Sequence, residues 1–131
     1  MNCQLRMLLF GFSAIAGTAP AHHSISGVYD SGESVTVRGT VAEFRFVNPH
    51  PLLIIEVAGG TAAETWLLEM DNRFELVAAG LTAETFRPGD RVVVTGSPAR
   101  ERSQRLYLRR LDRPADGLVY EQRGTRPRLR H

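Results

Sequence analysis

Ser34-Val35-Thr36-Val37-Arg38-Gly39-Thr40-Val41-Ala42-Glu43-Phe44-Arg45-Phe46, residues 34–46, alternates β-forming side chains with polar ones over an unusual length. A period of two over such a run marks a half-buried strand, and Gly39 inside it marks a bulge or bend. Asn48-Pro49-His50-Pro51 ends the strand. Its two prolines each fix their own φ and restrain the preceding residue, so the connection is stiff.

Outward from this strand the chain punctuates itself. Leu52 to Val57 reads as a second strand with Ala58-Gly59-Gly60 as its turn, and Thr65 to Met70 as a third. Asp71-Asn72 offers a helix cap; Phe74, Val77 and Ala78 fall at helical spacing, and Gly80 can close the helix. Leu81 to Phe86 reads as a short turn or helix, and Arg87-Pro88-Gly89-Asp90 as a tight turn. Arg91 to Ser97 and Arg105 to Leu111 are the fourth and fifth strands. Three strands, a helix and two strands predict a mainly β, five-stranded OB-fold-like barrel over residues 34–112, with an SH3-like barrel as the alternative. A bend in the first strand suits the coiling a small barrel needs. Residues 22–33 read as an extended lead-in with Tyr29 packed on the body, and 113–131 as a basic, partly disordered tail.

The front of the chain carries Arg6, the apolar run Met7 to Ala16, and the small-x-small stretch Ala19-Pro20-Ala21. This is the pattern of a secretory signal peptide over residues 1–21, and the run is too short to span a bilayer. The expected location is periplasmic or secreted, with no membrane-spanning segment. A cut after Ala21 makes His22 the first mature residue; a cut after Ala16 is the competing site. The single cysteine, Cys3, falls inside the signal, so the mature chain has no thiolate ligand, disulfide or cysteine nucleophile. All sixteen basic residues are arginine. Residues 22–99 hold five arginines against ten carboxylates, net −5, whereas 100–131 hold ten against four, net +6. An acidic body and a basic tail lie behind the moderate whole-chain charge of +2.

Several phrases recur together: Ala21-His22-His23-Ser24, Gly39-Thr40-Val41, Asn48-Pro49-His50, Trp66, and Pro88-Gly89-Asp90 leading into Val92-x-Val94-x-Gly96. In this order they resemble an uncharacterised family of small secreted bacterial proteins, a domain of unknown function, over nearly all of the mature chain to at least Leu111. The His-His-Ser start and Asn-Pro-His are the more specific features. Many relatives carry Gly-Trp where this chain has Gly80-Leu81. The resemblance implies export and a small barrel, and no activity.

The chemistry-bearing candidates are His22, His23 and His50; His131 is set aside as the end of the tail. The α-amine and imidazole of a mature His22, with a nitrogen from His50, form the T-shaped nitrogen set that Cu(II) favours. His23 offers a different chelate, from amine, amide and imidazole. Zinc is less favoured without cysteine, although three nitrogens and a water suit it. The structural alternatives are a polar flexible terminus for His22-His23 and a backbone hydrogen bond for His50. A metal-free OB-fold module binding a protein partner or small ligand is the competing function. The basic tail suits an envelope protein or an anionic surface. Nucleic acid is not expected, because the body is acidic and lacks a basic groove with stacking aromatics. Glu69, Asp71 and Glu75 are explained by strand alternation and capping, and no nucleophile elbow, phosphate loop or dinucleotide fingerprint occurs. The expected class is a non-enzyme.

Overall fold

The computed structural model describes residues 22–124 and 126–131, with only the backbone of His22, His23, Ser24 and Arg123. The expected signal segment, residues 1–21, and its cleavage site lie outside the described residues. In chain order the elements are α1 (His22–Val28), β1 (Val35–Arg45), β2 (Leu52–Ala58), β3 (Ala63–Glu69), α2 (Arg73–Ala78), β4 (Arg91–Pro98), β5 (Arg105–Arg113), β6 (Leu118–Arg123) and β7 (Arg126–Arg130). Among the described residues, no helix is long and apolar enough to cross a membrane.

The sheet runs β3-β2-β1-β4-β5-β6-β7, and a parallel pairing of β3 with β5 closes its first five strands into a barrel. With α2 between β3 and β4, this is the expected OB-fold-like architecture. β1 makes closure possible by pairing twice: Gly39 to Arg45 face β2, and Val35 to Thr40 face β4. The bulge falls at Ala42, where the β1–β2 register shifts between Val41 and Glu43, rather than at Gly39. Gly39 serves close approach instead, since a Cβ there would lie 2.6 Å from the Glu56 carbonyl oxygen. A second register shift, between Thr95 and Gly96, kinks β4 against β5. A Cβ on Gly96 would collide with the Tyr107 carbonyl.

Alternation sorts the strands into two faces. The row Val37, Val94, Leu111, Tyr120 and Leu129, matched residue by residue across β1, β4, β5, β6 and β7, turns inward. It joins Leu53, Ile55, Leu68 and Leu106 in one core. The neighbouring row Thr36, Thr95, Arg110, Glu121 and Arg128 turns outward.

α2 starts as expected, and of the two candidate caps Asn72 is used: its side chain accepts from the Glu75 amide at 2.9 Å, leaving Asp71 for another role. It ends in a Schellman motif, Gly80 amide to Val77 carbonyl and Leu81 amide to Leu76 carbonyl, with Gly80 at φ 94°. The helix is six residues long, so one turn meets the core and Leu76 alone is buried. Phe74 and Val77, expected on the inner face, are 83% and 50% exposed. Leu81 to Phe86 forms turns, not a helix, and buries Leu81 and Phe86.

Two expectations about the ends differ from the structure. The lead-in is not extended: His22–Val28 is helical, and it delivers Tyr29, 2% exposed, to a bridge with Ala99. The tail does not fray. Leu118–Arg123 and Arg126–Arg130 add the antiparallel pair β6 and β7 to the sheet, with Leu118 and Tyr120 fully buried and Leu129 packed on the core. The alternation of Leu118 and Tyr120 with Val119 and Glu121 supplies an apolar face despite the arginines around it. Replacing Leu118 with alanine is expected to lower stability by about 2–5 kcal/mol in urea unfolding. A change within about 0.5 kcal/mol, the surface range, would mean the hairpin is not part of the folded barrel.

Candidate functional site

The stiff Asn48-Pro49-His50-Pro51 connection, with a cis Asn48-Pro49 bond, places His50 beside the end of β3. The His50 Nδ1 lies 2.9 Å from the Met70 carbonyl oxygen. A carbonyl can only accept, so Nδ1 carries the proton and Nε2 is the free ring nitrogen. The Glu69 carboxylate stands 3.9 Å from the same Nδ1. The backbone hydrogen bond that is the structural alternative for His50 is therefore present, made to Met70.

Glu69 and Asp71 flank Met70, and each is held by tyrosine. The Tyr29 hydroxyl donates to Glu69 at 2.6 Å, with Arg105 3.6 Å from the same carboxylate. Asp71, 6% exposed, accepts from the Tyr107 hydroxyl, from the Tyr120 hydroxyl at 3.1 Å and from the Gln122 amide at 2.9 Å. The Tyr29 and Tyr107 rings stand 5.7 Å apart and join the two clusters. Burial pushes all three phenols well above their ordinary range. The second cause is the carboxylate: Glu69 for Tyr29, Asp71 for Tyr107 and Tyr120.

A cleft of about 310 Å³ opens over these groups, lined by His50, Asp71, Tyr107 and Gln122 and by Ile25 and Ser26 of α1. A neighbouring cleft of about 270 Å³ shares Ile25, Ser26, Tyr107 and Gln122 and reaches Ser97 and Arg109. The Ser97 hydroxyl, in a residue 1% exposed, has no hydrogen-bond partner among the described residues. The helix that begins at His22 thus shares a cleft with His50. The side chains of His22 and His23 lie outside the described residues. Among the described residues no three His, Cys, Asp or Glu side chains cluster as a metal site. His131 lines a different cleft, beside Arg113 and Asp116.

In the sequence, strand alternation and capping suffice to explain Glu69, Asp71 and Glu75. Asn72 caps, and Asp71 is the hub of a buried network. The available signal was the inward parity of Tyr120 and Gln122 on an unrecognised strand.

The three phenols are all the tyrosines of the chain. Their folded pKa values lie above the unfolded value of about 10, so their stabilisation is complete below that pH and is lost as pH rises beyond it. Unfolding free energy is expected to fall above pH ~10 by about 1.4 kcal/mol per pH unit for each tyrosine that stays protonated in the fold. Tyrosinate absorbance is expected only together with unfolding. Its appearance near pH ~10 in protein that keeps native circular dichroism would contradict the network.

The model of a family of unknown function, DUF6152, matches residues 11–106, a span that takes in α1, β1 to β4 and the first residues of β5. No curated protein and no solved structure matches the chain. The matched span covers most of the sequence, and the chain belongs to this family of unknown function.

Proposed function

We propose that the protein is an exported binding barrel that holds one Cu(II) ion between its mature N terminus and His50, for carriage, buffering or sensing rather than catalysis. The observation that carries this reading is the orientation of His50. Its Nδ1 donates to the Met70 carbonyl, which leaves Nε2 available beside a cleft that Ile25 and Ser26 also line. Metal-bound histidines have this arrangement, the outer N–H held by a carbonyl or carboxylate that fixes tautomer and ring plane. His22 precedes Ile25 and Ser26 by three and four residues, about one helical turn or ~5 Å of rise. Cleavage after Ala21 gives it a free amine beside its imidazole, and two nitrogens from His22 with one from His50 satisfy copper's preference. Each nitrogen must be free of a proton to bind, so affinity falls with acidification. Catalysis is the weaker reading, because the two carboxylates that flank Met70, Glu69 and Asp71, are both engaged by tyrosines.

A second reading, a metal-free barrel that binds a small polar ligand or a partner, is favoured by the unpartnered Ser97 hydroxyl in the adjoining cleft. One titration separates the two. In mature protein starting at His22, His22→Ala and His50→Ala are each expected to weaken Cu(II) binding by more than the about 10–100-fold typical of a lost outer partner. Intact mass should show one retained copper. Unchanged affinity in both variants would end the shared site, and a loss confined to His23→Ala would assign the dipeptide chelate instead. A His22 start that retains no copper would leave the metal-free reading.

A further inference from the structure

The outward face of β1, β4, β5, β6 and β7 carries arginines spread over neighbouring cross-strand rows. Across the strands, Arg38, Val93, Asp112, Val119 and Arg130 form one row, and Thr36, Thr95, Arg110, Glu121 and Arg128 the next. Arg91, opposite Thr40, and Arg126, two residues before Arg128, extend it at either end. Within this field Asp112 and Glu121 are spent on Arg110 and Arg130. Arg38, Arg91, Arg126 and Arg128 are exposed and have no carboxylate within ion-pair reach among the described residues. Glu56, opposite Thr40 on β2, marks the border of the field.

We propose that this face docks the protein on an anionic phospholipid bilayer. Five strands at a spacing of about 4.8 Å make the face roughly 19 Å wide, enough to meet several headgroups at once. Its uncharged positions are threonine and valine, with no aromatic among the described residues. That composition lacks the Trp and Tyr anchors that accompany arginine at the centre of protein–protein interfaces, and the stacking platform that single-stranded nucleic acid requires. A diffuse array of unpaired guanidiniums fits headgroups that can move laterally to meet each one, and basic residues near such a surface add attraction roughly independently. Strand addition at the open edge is disfavoured, because β7 places Pro127 and three arginines there. The proposal is independent of copper and uses none of the groups around His50.

Sedimentation with vesicles tests it on the full chain. At low salt the protein is expected to pellet with phosphatidylglycerol-containing vesicles, to stay in solution with pure phosphatidylcholine, and to be released in high salt. Arg38→Gln with Arg91→Gln, and separately Arg126→Gln with Arg128→Gln, are each expected to lower partitioning by about 25-fold, near fivefold per arginine. Any apolar leader is common to variants and parent, so its contribution cancels in their ratio; the neutral-vesicle and high-salt arms use the chain starting at His22, as in the copper titration. These side chains are exposed and unpaired, so the variants should keep the parent's melting temperature. Equal partitioning of variants and parent, equal binding to neutral vesicles, or binding that survives high salt would each overturn the proposal. Capture by polyglutamate without binding to vesicles would overturn it in favour of an acidic protein partner.

Discussion

One strand has to be shared by both halves of the barrel. Gly39 and Thr40 belong to two ladders at once, facing Val57 and Glu56 on one side and Val92 and Arg91 on the other. A strand in that position must coil sharply, and the chain meets the demand with a residue lacking Cβ where the Glu56 carbonyl crowds in and a bulge at Ala42 just beyond. A bulky residue at position 39 would push β2 away from β1. With β2 displaced, β3 would lose its place beside β5, and the three parallel pairs from Leu67 to Glu69 that close the barrel would open.

Closure has an electrostatic consequence at the end of β3. It brings Glu69 and Asp71 up against β5 and the segment after α1, where little water remains to solvate a carboxylate. A buried charge is tolerated when hydrogen bonds replace its lost hydration. Tyr107, Tyr120 and Gln122 supply that replacement for Asp71, while Tyr29 supplies it for Glu69, with the Arg105 guanidinium 3.6 Å away as counter-charge. The same donors orient the walls of the cleft beside His50. Packing of the barrel and polarity of the cleft are therefore one arrangement, reached through two carboxylates two residues apart.

The elements with strong period-two patterns could be read from the chain before folding: β1 to β5, the Asn72 cap and the Gly80 stop all lie within a few residues of expectation. Failures share a cause. In β6 and β7 the alternation was present but masked by arginines, whose composition argues for disorder while Leu118, Tyr120 and Leu129 argue for a strand. In α2 the apolar residues outnumbered the inward positions of a helix of six residues, so Phe74 and Val77 remain outside. The helical lead-in holds no strong periodicity. Tyr29, which the sequence marks as a packing residue, is tied to it by the hydrogen bond its amide N–H donates to the Ile25 carbonyl. The place of His50 on a stiff connection was legible because proline punctuation singles it out. The role of Asp71 was not, since it exists only once residues 49 positions apart are brought together.

The family match ends at residue 106, and that boundary runs between the groups around the cleft. His22, His23, His50, Glu69 and Asp71 lie inside it. Every side chain that donates to Asp71, namely Tyr107, Tyr120 and Gln122, lies beyond it, as do the hairpin arginines. A shared binding chemistry in the family would therefore be carried by the histidine loop and the end of β3, while stabilisation of the buried aspartate depends in this chain on the later strands. β6 serves both purposes at once. Its inward residues, Tyr120 and Gln122, complete the network, and its outward Glu121 knits Arg110 and Arg130 into the basic face. Parity alone separates the two, so a slip of one residue in that strand would bring a glutamate into the core and turn a tyrosine to solvent. The hairpin's register is thus constrained from both sides of the sheet, and this is why an arginine-rich terminus is ordered here instead of fraying.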